Sequence, residues 1–344
     1  SLYIFTCKMG ILKNNKAIFP FSTLLVIQGI SGFAQQNNQR PNIIFIMSDD
    51  HAAKAISCYD GSINNTPNID RIAQNGVRFS NCFCTNAVSG PSRATILTGQ
   101  LSHRNGMINN EVVFDSSLLT LPKVLRSNGY QTAIFGKWHL KSNPSDFNPD
   151  FIVNGEKVNE KGYITDIITD NAIEWIKQRD QSKAFFIMIH NKAPHRPWLP
   201  KFENITLYDT ANIPLPENFF DDYLNRADAA KSQKMSVYKD LQTNSDLKIP
   251  DTLALKESYF TDAGRLSIND RKIWDSIYYQ RNKTFLENPP QGKELAIWKY
   301  RRYLNDYLAT IKTVDDNVGK VLDYLKANGL EDNTIQFLKS IFDG

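Results

Sequence analysis

The sequence predicts an α/β domain built on a mostly parallel sheet with helices on both faces. Asn42-Ile-Ile-Phe-Ile-Met-Ser48 and Lys183-Ala-Phe-Phe-Ile-Met-Ile-His190 are continuous apolar runs. Strands covered on both sides read this way, whereas half-solvated strands alternate. Segments of helical spacing fall between and after the runs, at 164–178 and 295–328, and strands alternating with helices argue for a parallel sheet. The 344 residues are enough for one large domain or two smaller ones, and 41% hydrophobic with 22% charged residues is the balance of a soluble globular chain. A net charge of +4 is small for this length, and no basic run is interleaved with aromatics, so nucleic-acid binding is set aside.

Taken in order, the first 34 residues read as a leader. Lys13 and Lys16 precede an apolar stretch from Ala17 to about Ile30, and Gly32-Phe-Ala34 is a small-x-small cleavage site. A membrane anchor would need about twenty consecutive apolar residues. Pro20, Ser22, Thr23, Gln28, Gly29 and Ser31 interrupt this stretch. Export with cleavage is expected, giving a periplasmic or secreted chain starting near Gln35 with no stable membrane span. Residues 1–8 precede Met9 and are expected to take no part in the fold. After the strand at 42–48, Thr66-Pro opens a helix that closes at Gly76, and a short strand is expected over 77–83. Cys58, Cys82 and Cys84 remain outside the leader, an odd number with no zinc spacing. Cys82 and Cys84 flank Phe83 on that strand and are expected to be buried thiols.

A helix is expected over 121–127, stopped by Asn128-Gly129, then strands over 131–136 and 183–190 around the helix at 164–178. Residues 200–294 are polar, without a clear period, and are expected to form an insertion or cap of short helices. Apolar residues recur at helical spacing from Leu295 to Asn328 and stop at Gly329, and Thr334 to Leu338 forms the final strand.

In parallel sheets ligand sites lie at the carboxyl ends of the strands. Asp49 and Asp50, Lys137 and His139, and His195 all follow predicted strand ends, so separate stretches deliver charge to one edge of the sheet. Adjacent carboxylates repel unless a cation or proton relieves them, and an all-oxygen pair suits Ca²⁺ better than Zn²⁺. A helix starting at Pro91 would direct free amides and its positive end at an anion beside Ser89. Each feature alone has a plain structural reading: Ser89 as a helix cap, Asp49-Asp50 as a solvated turn, Lys137 as a surface charge, His195 as a structural histidine between prolines.

Together these stretches resemble the type I sulfatases. Ser89-Gly-Pro-Ser-Arg-Ala-Thr-Ile-Leu-Thr-Gly99 is similar to the segment around that family's self-modified nucleophile, and Gly129-Tyr-Gln-Thr-Ala-Ile-Phe-Gly-Lys-Trp-His139 to its second motif. The resemblance implies an alkaline-phosphatase-like fold and a sulfuric ester hydrolase. Ser89 would be oxidised to formylglycine, whose hydrate attacks sulfur. Arg93 and Lys137 would clamp the sulfate, His139 would deprotonate the second hydroxyl, and His195 would protonate the leaving alcohol. Asp49, Asp50 and the modified Ser89 would hold one divalent cation, Ca²⁺.

Serine at the modified position is similar to the sulfatases of anaerobic bacteria and implies a radical maturase as partner. Ser48-Asp-Asp-His-Ala-Ala, Cys58-Tyr-Asp, Asn109-Asn110 and Lys192-Ala-Pro-His-Arg-Pro-Trp198 resemble bacterial N-acetylglucosamine-6-O-sulfatases acting on sulfated host glycans.

The pattern departs in two places. Relatives carry a longer loop between Phe147 and Asn148. After Ile335 the family continues into Ser-Asp-x-Gly, whose Asp completes the metal site, whereas here Ile341 takes that position and Asp343 follows two residues later. The chain is therefore expected to be a catalytic domain incomplete at its C-terminus, with an apolar sheet edge exposed. Two other functions stay open: a phosphate mono- or diester hydrolase of the same superfamily, and a truncated, inactive relative.

Overall fold

The computed structural model describes residues 3–6, 40–138, 146–250 and 264–341. Its central sheet has six strands in the order β3-β1-β8-β2-β7-β4. β2 (Asn42–Asp49), β4 (Gln131–Gly136), β7 (Phe185–His190) and β8 (Thr334–Ile341) run parallel. β1 (Tyr3–Thr6) pairs antiparallel with both β8 and β3 (Gly76–Arg78), so the sheet is mixed. β5 (Asp150–Val153) and β6 (Glu156–Asn159) form a separate antiparallel pair.

Side chains of a strand alternate between faces, and here that alternation divides the core in two. Ile44 and Ile46 of β2 with Phe185, Ile187 and Ile189 of β7 meet one helical layer. That layer consists of α1 (Pro67–Gln74), α5 (Ile164–Gln178) and the long α9 (Gly292–Ala327). The odd-numbered Phe45 and Met47 and the even-numbered Phe186 and Met188 face the other way. They pack on Leu97 and Ile96 of α2 (Ser89–Thr98) and Leu125 of α4 (Leu121–Ser127). Each fully buried aliphatic side chain contributes about 1.5–3 kcal/mol, so both faces must be covered at once. The parity also carries to the strand ends: Asp49 and His190 fall on the α2 side.

The polar stretch 200–294 holds α6 (Asp228–Ser232), α7 (Val237–Asp240) and α8 (Ile268–Glu287). α6 and α7 are the short helices expected there, but α8 runs 20 residues. Its buried positions are Trp274, Tyr278 and Asn282, a single stripe at four-residue spacing. The stripe is too narrow to register as an apolar period, and its Trp274 and Tyr278 pack with Phe147, Tyr163, Leu199 and Ile205 into a small aromatic core.

Four other expectations are corrected. α2 begins at Ser89, not Pro91, after Asn86 Oδ1 accepts from the Val88 amide and Val88 closes the turn. β3 stops at Arg78, so Cys82 and Cys84 lie half-buried in a loop. Residues 3–6 do join the fold. Lastly, the outer edge of β8 is covered in part: Tyr3 to Thr6 pair with Lys339 to Gln336.

Candidate active site

Four of the residues singled out from the sequence meet around one buried carboxylate. Asp49 ends β2 with no solvent exposure. Its Oδ2 accepts from Lys137 Nζ at 2.5 Å and Arg93 Nη2 at 3.3 Å, and its Oδ1 accepts from Ser89 Oγ at 3.2 Å. Lys137 and Arg93 are likewise buried. Two cations on one carboxylate leave one positive charge in surplus beside the Ser89 hydroxyl, at the positive end of α2.

Lys137 is placed by main chain. Gly136 has φ +94°, and a Cβ there would lie 2.1 Å from the His190 carbonyl oxygen. Only glycine admits this approach. The next amide, of Lys137, donates to that same oxygen at 2.8 Å. Arg93 is placed by donating from Nη1 to the Lys137 carbonyl at 2.6 Å and to His190 Nδ1 at 3.1 Å. Since Arg can only donate, Nδ1 of His190 is the acceptor, and burial with the adjacent Arg93 charge pulls its pKa well below the ordinary value. His190 is a neutral support under the cation. His190 is not among the residues expected from sequence, although a polar residue closing an apolar parallel strand is the available signal.

The turn after β2 presents Asp50 with φ +57°. Tyr307 of α9 clamps that turn: its hydroxyl donates to the Asp50 carbonyl and accepts from the Ala52 amide, each at 2.8 Å. His51 bonds through its amide to Ser340 Oγ and through Nδ1 to Ser48 Oγ, and burial lowers its pKa to about 4. His195, in the loop after β7, brings Nε2 to 3.8 Å from Asp50 Oδ2. His139 lies outside the described residues.

The anion-facing amides expected of α2 are fewer than its position suggests. Gly90 N donates to Asn110 Oδ1 at 2.9 Å, and Pro91 has no N–H, so two of the first three positions offer nothing. Side-chain cations therefore dominate.

For a divalent cation, Asp49, Asp50 and Ser89 fit in kind but not in number. They are hard oxygen donors, whereas Ca²⁺ takes about six to eight. Among the described residues no three acidic, His or Cys side chains converge, and the β8 residue in register with Asp49 is Ile341.

A family profile described as Sulfatase matches residues 41–340. The chain belongs to the sulfatase family. It is 43% identical over 357 residues to an N-acetylglucosamine-6-O-sulfatase of Bacteroides thetaiotaomicron, covering 95% of this chain and 62% of that protein. It is 27% identical over 283 residues to an N-acetylglucosamine-6-sulfatase of Capra hircus, covering 70% of this chain and 48% of that one. A solved structure described as a complex with its substrate D-glucosamine-2-N,6-O-disulfate superposes with a TM-score of 0.83 at 43% identity. The match covers 88% of this chain and 65% of that one. The chain thus spans less than two thirds of these relatives. The sulfatase family uses a formylglycine nucleophile and a divalent cation, and the α/β fold expected from the strand pattern is the one these relatives share.

Proposed function

We propose that this chain removes O-sulfate from a sugar, with 6-O-sulfated N-acetylglucosamine of glycans as the substrate. The single observation that carries the reading is the surplus positive charge of Lys137 and Arg93 over Asp49, fixed beside Ser89 at the start of α2. A dianionic or monoanionic oxygen cluster is the complement to such a site, and cations that need no reorganisation stabilise charge most effectively in a buried pocket. Identity to a relative named for this substrate supports the choice of sugar.

Formylglycine made from Ser89 would supply a hydrated aldehyde as nucleophile, and Asp49, Asp50 and the modified Ser89 would hold Ca²⁺, which would supply positive charge there. The chain's own residues do the rest. Lys137 and Arg93 bind the sulfate oxygens and orient sulfur toward position 89. His190, neutral, keeps Arg93 in place. His195, at the mouth beside Asp50, donates a proton to the leaving alcohol oxygen, and His139 is assigned the base that follows. The residues that form Ser89-Gly-Pro-Ser-Arg are the substrate of a radical maturase in this reading. The pattern of Lys13, Lys16 and the apolar stretch to Ile30 supports export to the periplasm or medium, with cleavage after Ala34.

Coexpression with an anaerobic maturase tests the proposal. Oxidation of Ser89 should lower the intact mass by about two units, as loss of two hydrogens requires, and the protein should release sulfate from 6-O-sulfated N-acetylglucosamine in calcium buffer. Faster turnover of aryl phosphate than aryl sulfate would instead make it a phosphoesterase. An unchanged mass with no sulfate release would leave an inactive relative.

A further inference from the structure

On the side of α9 facing away from Asp50 is a cavity of about 520 Å³, within the range that holds a sugar-sized ligand. At about 100° per residue, Trp298, Arg301, Arg302 and Asn305 all project from the half of the helix opposite Tyr307. It is therefore separate from the Ser89 centre.

Arg281 and Arg302 of its lining belong to a buried charge cluster. Asp306 receives Lys248 Nζ at 2.9 Å, Arg281 Nη1 at 3.1 Å and Arg302 Nη1 at 3.2 Å, with the Tyr278 hydroxyl at 3.0 Å. Arg281 also pairs with Asp209. Three cations thus face two carboxylates. Burial, opposed by Asp306 and reinforced by Arg302, brings Lys248 down to about 8. Arg302 lines the cavity with its side chain 5% exposed, and its Nε has no hydrogen-bond partner among the described residues. Buried donors are rarely left unmade. At the rim stand the exposed Arg301 and the half-buried Trp298, whose ring lies 4.3 Å from Phe285. Glu294 at the same rim excludes a plain basic patch and favours a ligand that carries both hydroxyls and charge.

We propose that this cavity binds an acidic sugar unit, with its sulfate or carboxylate on Arg302 and Arg301 and its ring face on Trp298. An indole beside guanidinium groups offers an apolar platform and bidentate anion recognition together, which a saccharide of this class needs. The site would hold a glycan at a point remote from Ser89, and it does not depend on turnover there.

The test uses the full chain with Ser89→Ala, labelled with ¹⁵N-tryptophan, so that binding is read without catalysis. The Trp298 indole signal is assigned by Trp298→Phe. 6-O-sulfated N-acetylglucosamine and glucuronic acid are titrated against unsulfated N-acetylglucosamine and sodium sulfate.

The proposal expects the Trp298 signal to move with an acidic sugar, and Arg301→Ala to weaken that binding at least tenfold with an unchanged melting temperature. Arg301→Lys should recover part of it. In calorimetry Trp298→Ala should weaken the sugar and leave sodium sulfate unaffected.

Equal binding of the unsulfated sugar, equal binding of sodium sulfate, or indifference to both variants would overturn it. If the unsubstituted chain, coexpressed with the maturase, keeps an unmodified Ser89 and releases no sulfate while the Ser89→Ala chain binds sugar here, the hydrolase reading falls and this site stands.

Discussion

Replacing Asp49 with Asn removes the one carboxylate on which Lys137, Arg93 and Ser89 converge. The side chains of Asp49 and Lys137 have no solvent exposure and that of Arg93 has 3%, so neither cation can turn to water for compensation. Breaking a buried ionic cluster by removing one partner costs about 3–5 kcal/mol. Asn retains the size and can still accept one hydrogen bond, which places the expected loss near the lower end, at about 3 kcal/mol. Urea unfolding at pH 7.5 and low salt, followed by tryptophan fluorescence, measures it. The same substitution doubles the surplus charge beside Ser89, from one to two. Sodium sulfate should then stabilise the variant more than the parent, by about 1.4 kcal/mol for each tenfold gain in affinity. Comparing the two proteins cancels the general stabilisation that sulfate gives any fold. A loss under about 1 kcal/mol, or an equal sulfate response, would refute the idea that a charge surplus makes this an anion site.

Three further outcomes are expected. Gly136→Ala should destabilise the chain by about 3 kcal/mol or more, because its Cβ would meet the His190 carbonyl at 2.1 Å and its φ is +94°; denaturant midpoints check it. Tyr307→Phe strips hydrogen bonds from the Asp50 carbonyl and the Ala52 amide and should cost about 2 kcal/mol, while sulfate release should fall further than a folding loss predicts. Asp315 is buried and accepts from the Asn68 and Ile69 amides, yet burial raises its pKa from 3.8 to about 6. A raised folded pKa means its contribution is fully present below 3.8 and is lost as pH climbs through 6, a change of roughly 3 kcal/mol. Asp315→Asn should therefore flatten melting temperature against pH between 4 and 6; an unchanged slope would remove Asp315 as its source.

The strand ends were legible in the sequence because burial on both faces writes an unbroken apolar run, and the polar residue that ends such a run marks the site. Asp49 stands out this way, while Lys137 and His195 are marked only by following a strand end. His190 obeyed the same rule and was passed over because it still looked like part of the strand. The start of α2 was set two residues late, since Pro91 is a strong local signal while the closing turn depends on Asn86 Oδ1 and the Val88 amide. α8 was hidden for a different reason: a helix that buries Trp274 and Tyr278 against other aromatics and Asn282 on the Lys248 carbonyl leaves little apolar period behind. Tyr307 and Arg302 owe their places to contacts made across hundreds of residues or inside a cavity, which no local pattern announces.

The pairing of Tyr3–Thr6 along β8 bears on how the protein behaves outside the fold itself. If the chain is cut after Ala34, the strand that shields β8 leaves with the leader, and a row of main-chain donors and acceptors opens to solvent. Such edges recruit other strands. Processing would then open Gln336–Lys339 to pairing with other strands, and the cut and uncut forms should differ in their tendency to aggregate on storage.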